Sequence, residues 1–459
     1  MLKHRFVIAL VLWLPALGSH AAGAPVHEFT LENGLTLLVK EDHRAPVVIS
    51  EVWYNVGSSY EHTGITGVSH VLEHMMFKGT KKHPSGEFSR IVAANGGSEN
   101  AFTSRDYTGY YQQLEKSRLA VSFELEADRM RNLLLTQEEF EKELNVVKEE
   151  RRLRTEDDPQ AFTVEQFYAT AFMNSPYQNP VIGWMNDLDN LTLDDIKQWY
   201  ATWYAPNNAT LVVVGDVNPQ AVFELAQEYF GPLDPSVMPR PKPRSEIEQR
   251  GTRHIVVKAP AELPLLIMGY QTPTVKNARE SWEPYALEVL AGILDGGDSA
   301  RLATQLVRDT QVAANVGAGY SLYTRHDDLF VLSGTPSQDR TIGDLTTALK
   351  GEIDKLQTGL PSQEEMDRVK AQVVAAAVYE QDSVFYQAMQ LGALVTAGLD
   401  WRLTDLYVDR IRAVTPEQVQ AVAKKYLVDD RLTIAELVPL PIDKTSRRPT
   451  LPVGGSHVR

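Results

Sequence analysis

The spacing of apolar and polar residues changes several times along this chain. Two-residue alternation over 27–40, interrupted at Asn33-Gly34, predicts a β-hairpin. A second β-rich run covers 47–56. Residues 211–214 form a continuous apolar stretch closed by Gly215-Asp216, the pattern of a buried strand. Helical spacing covers 117–132 and 137–153. Strands and helices mixed in this irregular order predict α+β layers.

One pattern occurs twice. Thr192 caps a predicted helix running to Tyr204, and the strand 211–214 follows. Thr415 caps another running to Tyr426, and the apolar run 432–437 follows. The repeated order predicts an internal duplication into two similar domains. Between them, Pro232, Pro235, Pro239, Pro241 and Pro243 lie in a polar stretch ending at Arg250. It reads as a linker. The expected organisation is a first domain over 25–235, a linker over 236–250 and a second domain over 251–443. A mobile tail is expected over 444–459.

Residues 1–24 read as a secretory signal. Lys3, His4 and Arg5 precede a short apolar core over 6–17, with small residues before Ala21 and Ala24, the two expected cleavage points. The apolar run is shorter than the ~20 residues of a membrane span. No later stretch reaches that length, so the mature chain is expected to be exported and to lack a membrane span. In a Gram-negative source it would be periplasmic. Losing Lys3 and Arg5 takes the formal charge from −15 to −17. Such acidity argues against a nucleic-acid partner. The chain has no cysteine, which excludes disulfides, thiolate metal sites and a cysteine nucleophile. Any metal must be held by His, Asp or Glu.

Against that limit, the segment Val68-Ser69-His70-Val71-Leu72-Glu73-His74-Met75-Met76 stands out. On a helix, Val68, Val71, Leu72, Met75 and Met76 share one side. His70, Glu73 and His74 share the other. Residues i and i+4 are neighbours, so both imidazoles can reach one ion. Glu73 can reach a metal-associated water without being a ligand. A catalytic zinc takes three protein ligands and keeps one position open, so a third must come from elsewhere.

The helix 137–153 offers candidates. Phe140, Leu144, Val146 and Val147 mark its apolar face. Glu143 and Glu150, seven residues apart, lie on that face, while Glu141, Lys142, Lys148 and Glu149 point away. A carboxylate on a buried stripe is costly unless paired or bound to a cation. This favours Glu150 over Glu149 as the third ligand. The plainer alternative is two carboxylates that meet arginines at a half-buried edge.

These residues resemble the inverzincin metallopeptidases, which carry His-x-x-Glu-His. More narrowly, the chain resembles the M16, pitrilysin-type family in its shorter branch, with mitochondrial processing peptidase β subunits and their bacterial counterparts. Glu150 lies 76 residues after His74, as the family pattern asks, and Glu143 opens the matching Glu-x-x-x-x-x-x-Glu run. Phe77-Lys78-Gly79-Thr80, Asn95 through Thr103, Tyr204 through Ala209 and Gly215-Asp216-Val217 match further. The resemblance spans nearly the whole mature chain. It implies two domains, each with helices packed on a mostly antiparallel sheet. It also implies one Zn²⁺ per chain on His70, His74 and Glu150, with hydrolysis of peptides or unfolded polypeptide by metal-activated water. Glu73 would be the general base. Glu143 would assist catalysis by orienting a ligand or helping to position the water. Asn100, Ala101 and Phe102 would bind substrate on an edge strand.

One position departs from the family. Active members carry an Arg and a Tyr seven apart in the second half, for substrate binding and oxyanion stabilisation. Arg308 matches the Arg, but Asn315 stands at the Tyr position, with Tyr320 and Tyr323 out of register. The departure implies a heterodimer, in which a homologous subunit supplies the Arg/Tyr pair. The alternative function is a non-enzymatic peptide-binding or structural subunit, inactive without its partner.

Overall fold

A computed structural model describes residues 25–242 and 244–442. The predicted signal segment 1–24, Pro243 of the linker and the predicted tail 444–459 lie outside the described residues. The first half contributes strands β1 (Val26–Thr30), β2 (Thr36–Glu41), β3 (Val47–Tyr54), β4 (Ser98–Thr103), β5 (Thr108–Glu115) and β6 (Ala209–Gly215). Its helices are α1 (Val68–Met75), α2 (Glu87–Ala94), α3 (Leu119–Asn132), α4 (Gln137–Arg151), α5 (Pro159–Ala171), α6 (Met185–Asn190), α7 (Leu193–Trp203) and α8 (Pro219–Tyr229). The second half contributes β7 (Arg253–Pro260), β8 (Leu265–Thr272), β9 (Ala313–Gly319), β10 (Asp328–Pro336) and β11 (Leu432–Leu440). Its helices are α9 (Glu283–Asp295), α10 (Ile342–Thr358), α11 (Gln363–Glu380), α12 (Val384–Thr396), α13 (Leu403–Ala413) and α14 (Pro416–Tyr426).

The six-stranded sheet runs β1-β2-β6-β3-β5-β4, and the five-stranded sheet runs β7-β11-β8-β10-β9. In both, the last strand in sequence inserts parallel to the one on its left and antiparallel to the one on its right. In both, a short strand lies at the far edge, β4 or β9, paired antiparallel to its neighbour. The helices before the inserted strands, α7 and α14, are each capped by a threonine in a reciprocal capping box. The fold is therefore α+β, built twice on one plan.

The predicted hairpin forms, but its connection is longer than the Asn-Gly pair suggests. Thr30 pairs with Thr36, which leaves residues 31–35 as the loop. Leu31 and Leu35 are both buried, so the loop lengthens to put two leucines into the core. Gly34 takes φ +89°, and a Cβ there would meet Asn207 at 2.9 Å. The Asn33 amide donates to Phe230 O and Leu233 O at 2.7 and 3.0 Å, pinning the loop beyond α8.

The halves do not simply follow one another across a linker. Each lends a helix to the other's sheet. From the first half, α5 and the loop after it place Phe167, Ala171 and Phe172 against Val257, Ile267, Ala435 and Leu437 of the second sheet. From the second half, α12 places Ala388 and Leu391 against Ile49, Trp53, Val212 and Val214 of the first. The linker is also held: the Glu246 carboxylate accepts from the amides of Met173, Asn174 and Ser175 at 3.0, 2.9 and 2.8 Å.

Helix α4 corrects one detail of the sequence pattern. Its buried line is Phe140, Leu144, Val147 and Arg151, whereas Val146 is 49% exposed. At ~100° per residue, Val146 falls off the face that Val147 occupies. Lys148, expected to point away, is only 16% exposed and reaches Asp189 at 3.0 Å. Arg151 closes the buried line by pairing with Glu165 at 2.7 and 2.9 Å.

Candidate metal centre

Helix α1 is fixed at its start by carboxylates from outside it. Glu61 accepts from the Gly67 and Ser69 amides at 2.8 and 2.9 Å. Asp187 accepts from the Thr66 amide at 3.2 Å and the Thr66 hydroxyl at 2.6 Å. Negative charge and acceptors belong at a helix N-terminus, where amides lack partners. Burial pushes Glu61 up to about 7, against the pull of those amides. Gly67 is required here: its φ is +88°, and a Cβ would lie 2.6 Å from Ile182 O. The apolar side then locks the helix down. Val68, Val71, Leu72 and Met75 are fully buried, and each such side chain contributes ~1.5–3 kcal/mol.

The opposite side of α1 meets α4. Nε2 of His74 lies 3.5 Å from Oε2 of Glu150, and Nε2 of His70 lies 3.9 Å from the same oxygen. One donor atom from each of His70, His74 and Glu150 falls within 4.8 Å of the others. His70 is 5% exposed. The other side of the His74 ring is held as well: Nδ1 lies 3.2 Å from Oε2 of Glu143, whose Oε1 takes Lys78 Nζ at 2.7 Å.

The charges act together. Burial alone would lower the His74 pKa, but Glu143 and Glu150 outweigh it and push it up to about 9. Burial alone would raise Glu150, but His74, His70 and Arg154 bring it down to about 2. Glu143 is lowered too: burial raises it, but His74 and Lys78 outweigh that. An imidazole that holds its proton this firmly between two carboxylates marks a place that favours a cation. A divalent ion would replace that proton. The donor set, two nitrogens and one oxygen without sulfur, suits zinc with a position left open.

The plainer alternative for the two carboxylates is met in part. Oε1 of Glu150 pairs with Arg154 at 2.5 Å, and Glu143 pairs with a lysine. Yet Oε2 of Glu150 still faces both imidazoles. Arg154 thus holds the carboxylate without occupying the oxygen that faces the imidazoles. Glu73 turns toward the edge strand, where the Thr103 hydroxyl donates to its Oε2.

A cavity of about 560 Å³ opens over this cluster. His70, Glu73, Asn100, Ala101, Phe102 and Thr103 all line it, so strand β4 is one of its walls. The Ala101 amide donates to Oδ1 of Asn100 at 2.9 Å. Phe102 points to the other face of the sheet, and its ring sits 4.9 Å from that of Trp53. Arg308 and Asn315 are not among the lining residues. Arg308 lies on the wide helical turn Ala303–Asp309 and donates to the Thr304 hydroxyl at 2.7 Å, and Asn315 lies on β9. Both are exposed.

Sequence reasoning did not single out Thr103, Arg154 or Phe385, nor assign Lys78 a role. Thr103 was within reach, since alternation along β4 puts it on the same face as Ala101. Arg154 follows Glu150 by four residues, a helix neighbour. Phe385 gives no such signal, because it enters the cavity from the second half, on α12.

Two family models match this chain. Residues 36–184 match the insulinase model of peptidase family M16, and residues 190–373 match the model described as the M16 peptidase inactive domain. The zinc protease PqqE of Helicobacter pylori is 34% identical over 423 residues, covering 90% of this chain and 93% of that protein. A crystal structure of a protease from Helicobacter pylori superposes with a TM-score of 0.86 at 31% identity, over 91% of this chain and 100% of that one. The periplasmic protease PqqL of Escherichia coli shares the fold, with a TM-score of 0.76 at 20% identity, over 91% of this chain and 48% of that one. Sequence and fold agree, and the chain belongs to the M16 peptidase family.

Proposed function

We propose that this protein is a zinc-dependent endopeptidase acting on peptides or unfolded polypeptide segments. The observation that carries this reading is the convergence of His70, His74 and Glu150 on one point, beside Glu73 and an open edge strand. Zinc bound there would supply Lewis acidity toward a scissile carbonyl and a water. The chain's own residues do the rest. Glu73 takes the water's proton and returns it to the leaving amine. The Thr103 hydroxyl holds the Glu73 carboxylate in place. Glu143 keeps a proton on Nδ1 of His74, so that Nε2 is the free donor. Strand β4 offers backbone groups to an extended chain, which reads shape more than sequence.

A homologous partner subunit is part of the proposal. Asn315 has less reach than the tyrosine of active members, and Arg308 and Asn315 are exposed and do not line the cavity beside His70. A partner's Arg/Tyr pair would complete the cleft. We place the mature protein in the periplasm, after removal of residues 1–24. Among the described residues no helix is long and apolar enough to cross a membrane. Asn315 also favours the second reading, a peptide-binding subunit inactive by itself. Chelation tests both readings. Peptide cleavage that stops on metal removal and returns with zinc supports the peptidase. A zinc-loaded chain that binds peptide but never cleaves it, with or without a partner, supports the second reading.

A further inference from the structure

Three arginines follow Glu150 closely in the chain, and the structure sends them to three different places. Arg151 is buried and pairs with Glu165 at 2.7 and 2.9 Å. Arg152 pairs with Glu149, and both are exposed. Arg154 alone of the three lines the cavity beside His70 and Glu73. The backbone there changes form. Helix α4 ends at Arg151, and Arg152–Glu156 continue it as a wider turn, in which the Asp157 amide donates to Arg152 O at 2.7 Å. A turn of this π type takes in one extra residue, which rotates the side chains after it relative to an α-helix, and it is frequent at functional sites. Here Arg154 and Thr155 both line the cavity.

Steadying Glu150 uses little of what Arg154 offers. Its Nη1 lies 2.5 Å from Oε1 of Glu150. A guanidinium carries five N–H donors in a planar fork and stays charged at every working pH. The Arg154 side chain is 46% exposed. Among the described residues, the cavity lining includes no lysine and no other arginine, and its one acid is Glu73. Val181, Ile182 and Phe385 line it as well. Apolar walls of this kind keep water back and strengthen a charge–charge contact beyond its worth on an open surface. A fork of donors in such a place fits a carboxylate, which accepts two parallel hydrogen bonds from it.

We propose that Arg154 is a specificity residue: its remaining donors bind a carboxylate of the extended polypeptide, carried by an Asp or Glu side chain or by the chain's own C-terminus, close to the scissile bond. The inference rests on the peptidase reading and names a substrate chemistry for it. Positive charge selects an anion, and the planar fork selects a carboxylate among anions of a polypeptide.

The test uses the full-length, zinc-loaded Glu73→Gln variant, which should hold peptides without cutting them. Fluorescein-labelled peptides carry one glutamate or glutamine, stepped through an otherwise neutral sequence, each with a free or an amidated C-terminus. Binding is read by anisotropy. In one register, the glutamate peptide should bind about tenfold more tightly than its glutamine twin. A gain confined to free-acid peptides identifies the chain end as the source of the carboxylate and supports the site equally. Adding Arg154→Gln should bring the ratio between twins to one, while Arg154→Lys should keep part of it, since the charge remains and the fork is lost. The ratio is the readout because Arg154 also steadies Glu150: a purely structural loss weakens both twins alike. Zinc content is measured on every variant. Should Arg154→Gln not hold zinc, salt raised from about 0.05 to about 0.5 M should shrink the same ratio in the parent variant. Equal affinity in every register and with both termini overturns the inference, as does a ratio that survives Arg154→Gln. An Arg154-dependent ratio in a protein whose wild type cleaves none of the peptides keeps the site and defeats the peptidase reading. Cleavage by wild type without any preference does the reverse.

Discussion

Oε2 of Glu143 lies 3.2 Å from Nδ1 of His74, on the side of the ring away from Glu150. In the proposed site this contact would hold a proton on Nδ1 and leave Nε2 of His74 to bind the metal. In that proposal Glu150 is the ligand and Glu143 acts through the His74 ring. Replacing Glu143 with Ala should leave all three ligands in place yet weaken zinc binding ~10–100-fold. Competition with a chromogenic chelator measures the loss. Unchanged affinity would remove Glu143 from the site's support.

The exchange of helices makes a prediction about stability. A Cβ on Gly392 of α12 would fall 2.0 Å from the Trp53 ring of the first sheet. Gly392→Val should therefore force α12 off that sheet or displace Trp53. Overpacking of this kind costs ~1–3 kcal/mol. Urea denaturation should show the loss, and hydrogen exchange should show reduced protection in α12 and β3 together.

Glu51 lies under the same helix and gives the protein a pH dependence. Burial pushes its carboxyl up to about 8, against a hydrogen bond from the Trp53 indole. The folded pKa is above the unfolded one, so the fold keeps the proton that the unfolded chain releases. The contribution is fully present below about 4.5 and is lost as pH rises toward 8. The slope reaches at most ~1.4 kcal/mol per pH unit. Glu51→Gln should flatten this fall and gain most over wild type near pH 8. Denaturation midpoints from pH 5 to 9 check it; parallel curves for the two proteins would contradict it.

Association is the fourth prediction. If a homologous subunit completes the cleft, the purified chain alone should hydrolyse a quenched peptide slowly. Adding the partner should raise the rate and shift elution in gel filtration to a heterodimer. A fully active monomer or homodimer would contradict this.

Much of the fold and most of the candidate metal site were legible in the sequence for physical reasons. Helical periodicity separated Val71 and Leu72 from His70 and Glu73, and the same period carried Glu143 and Glu150 along one face of α4. Threonine caps revealed the repeat, because Thr192 and Thr415 each satisfy a helix start. Other features depend on contacts between distant parts of the chain. No local pattern shows that α12 covers the first sheet, or that Phe385 reaches the metal cavity from the second half. Val146 was misassigned because two adjacent valines cannot share a narrow buried line.

The most direct test compares wild type with Glu73→Gln, purified alike, for zinc content and for cleavage of a quenched peptide in the presence of any required partner. Both proteins should carry one zinc per chain. The variant should lose at least ~100-fold in kcat, the scale of a missing general base. A variant that keeps its zinc and cleaves at the wild-type rate would contradict the mechanism.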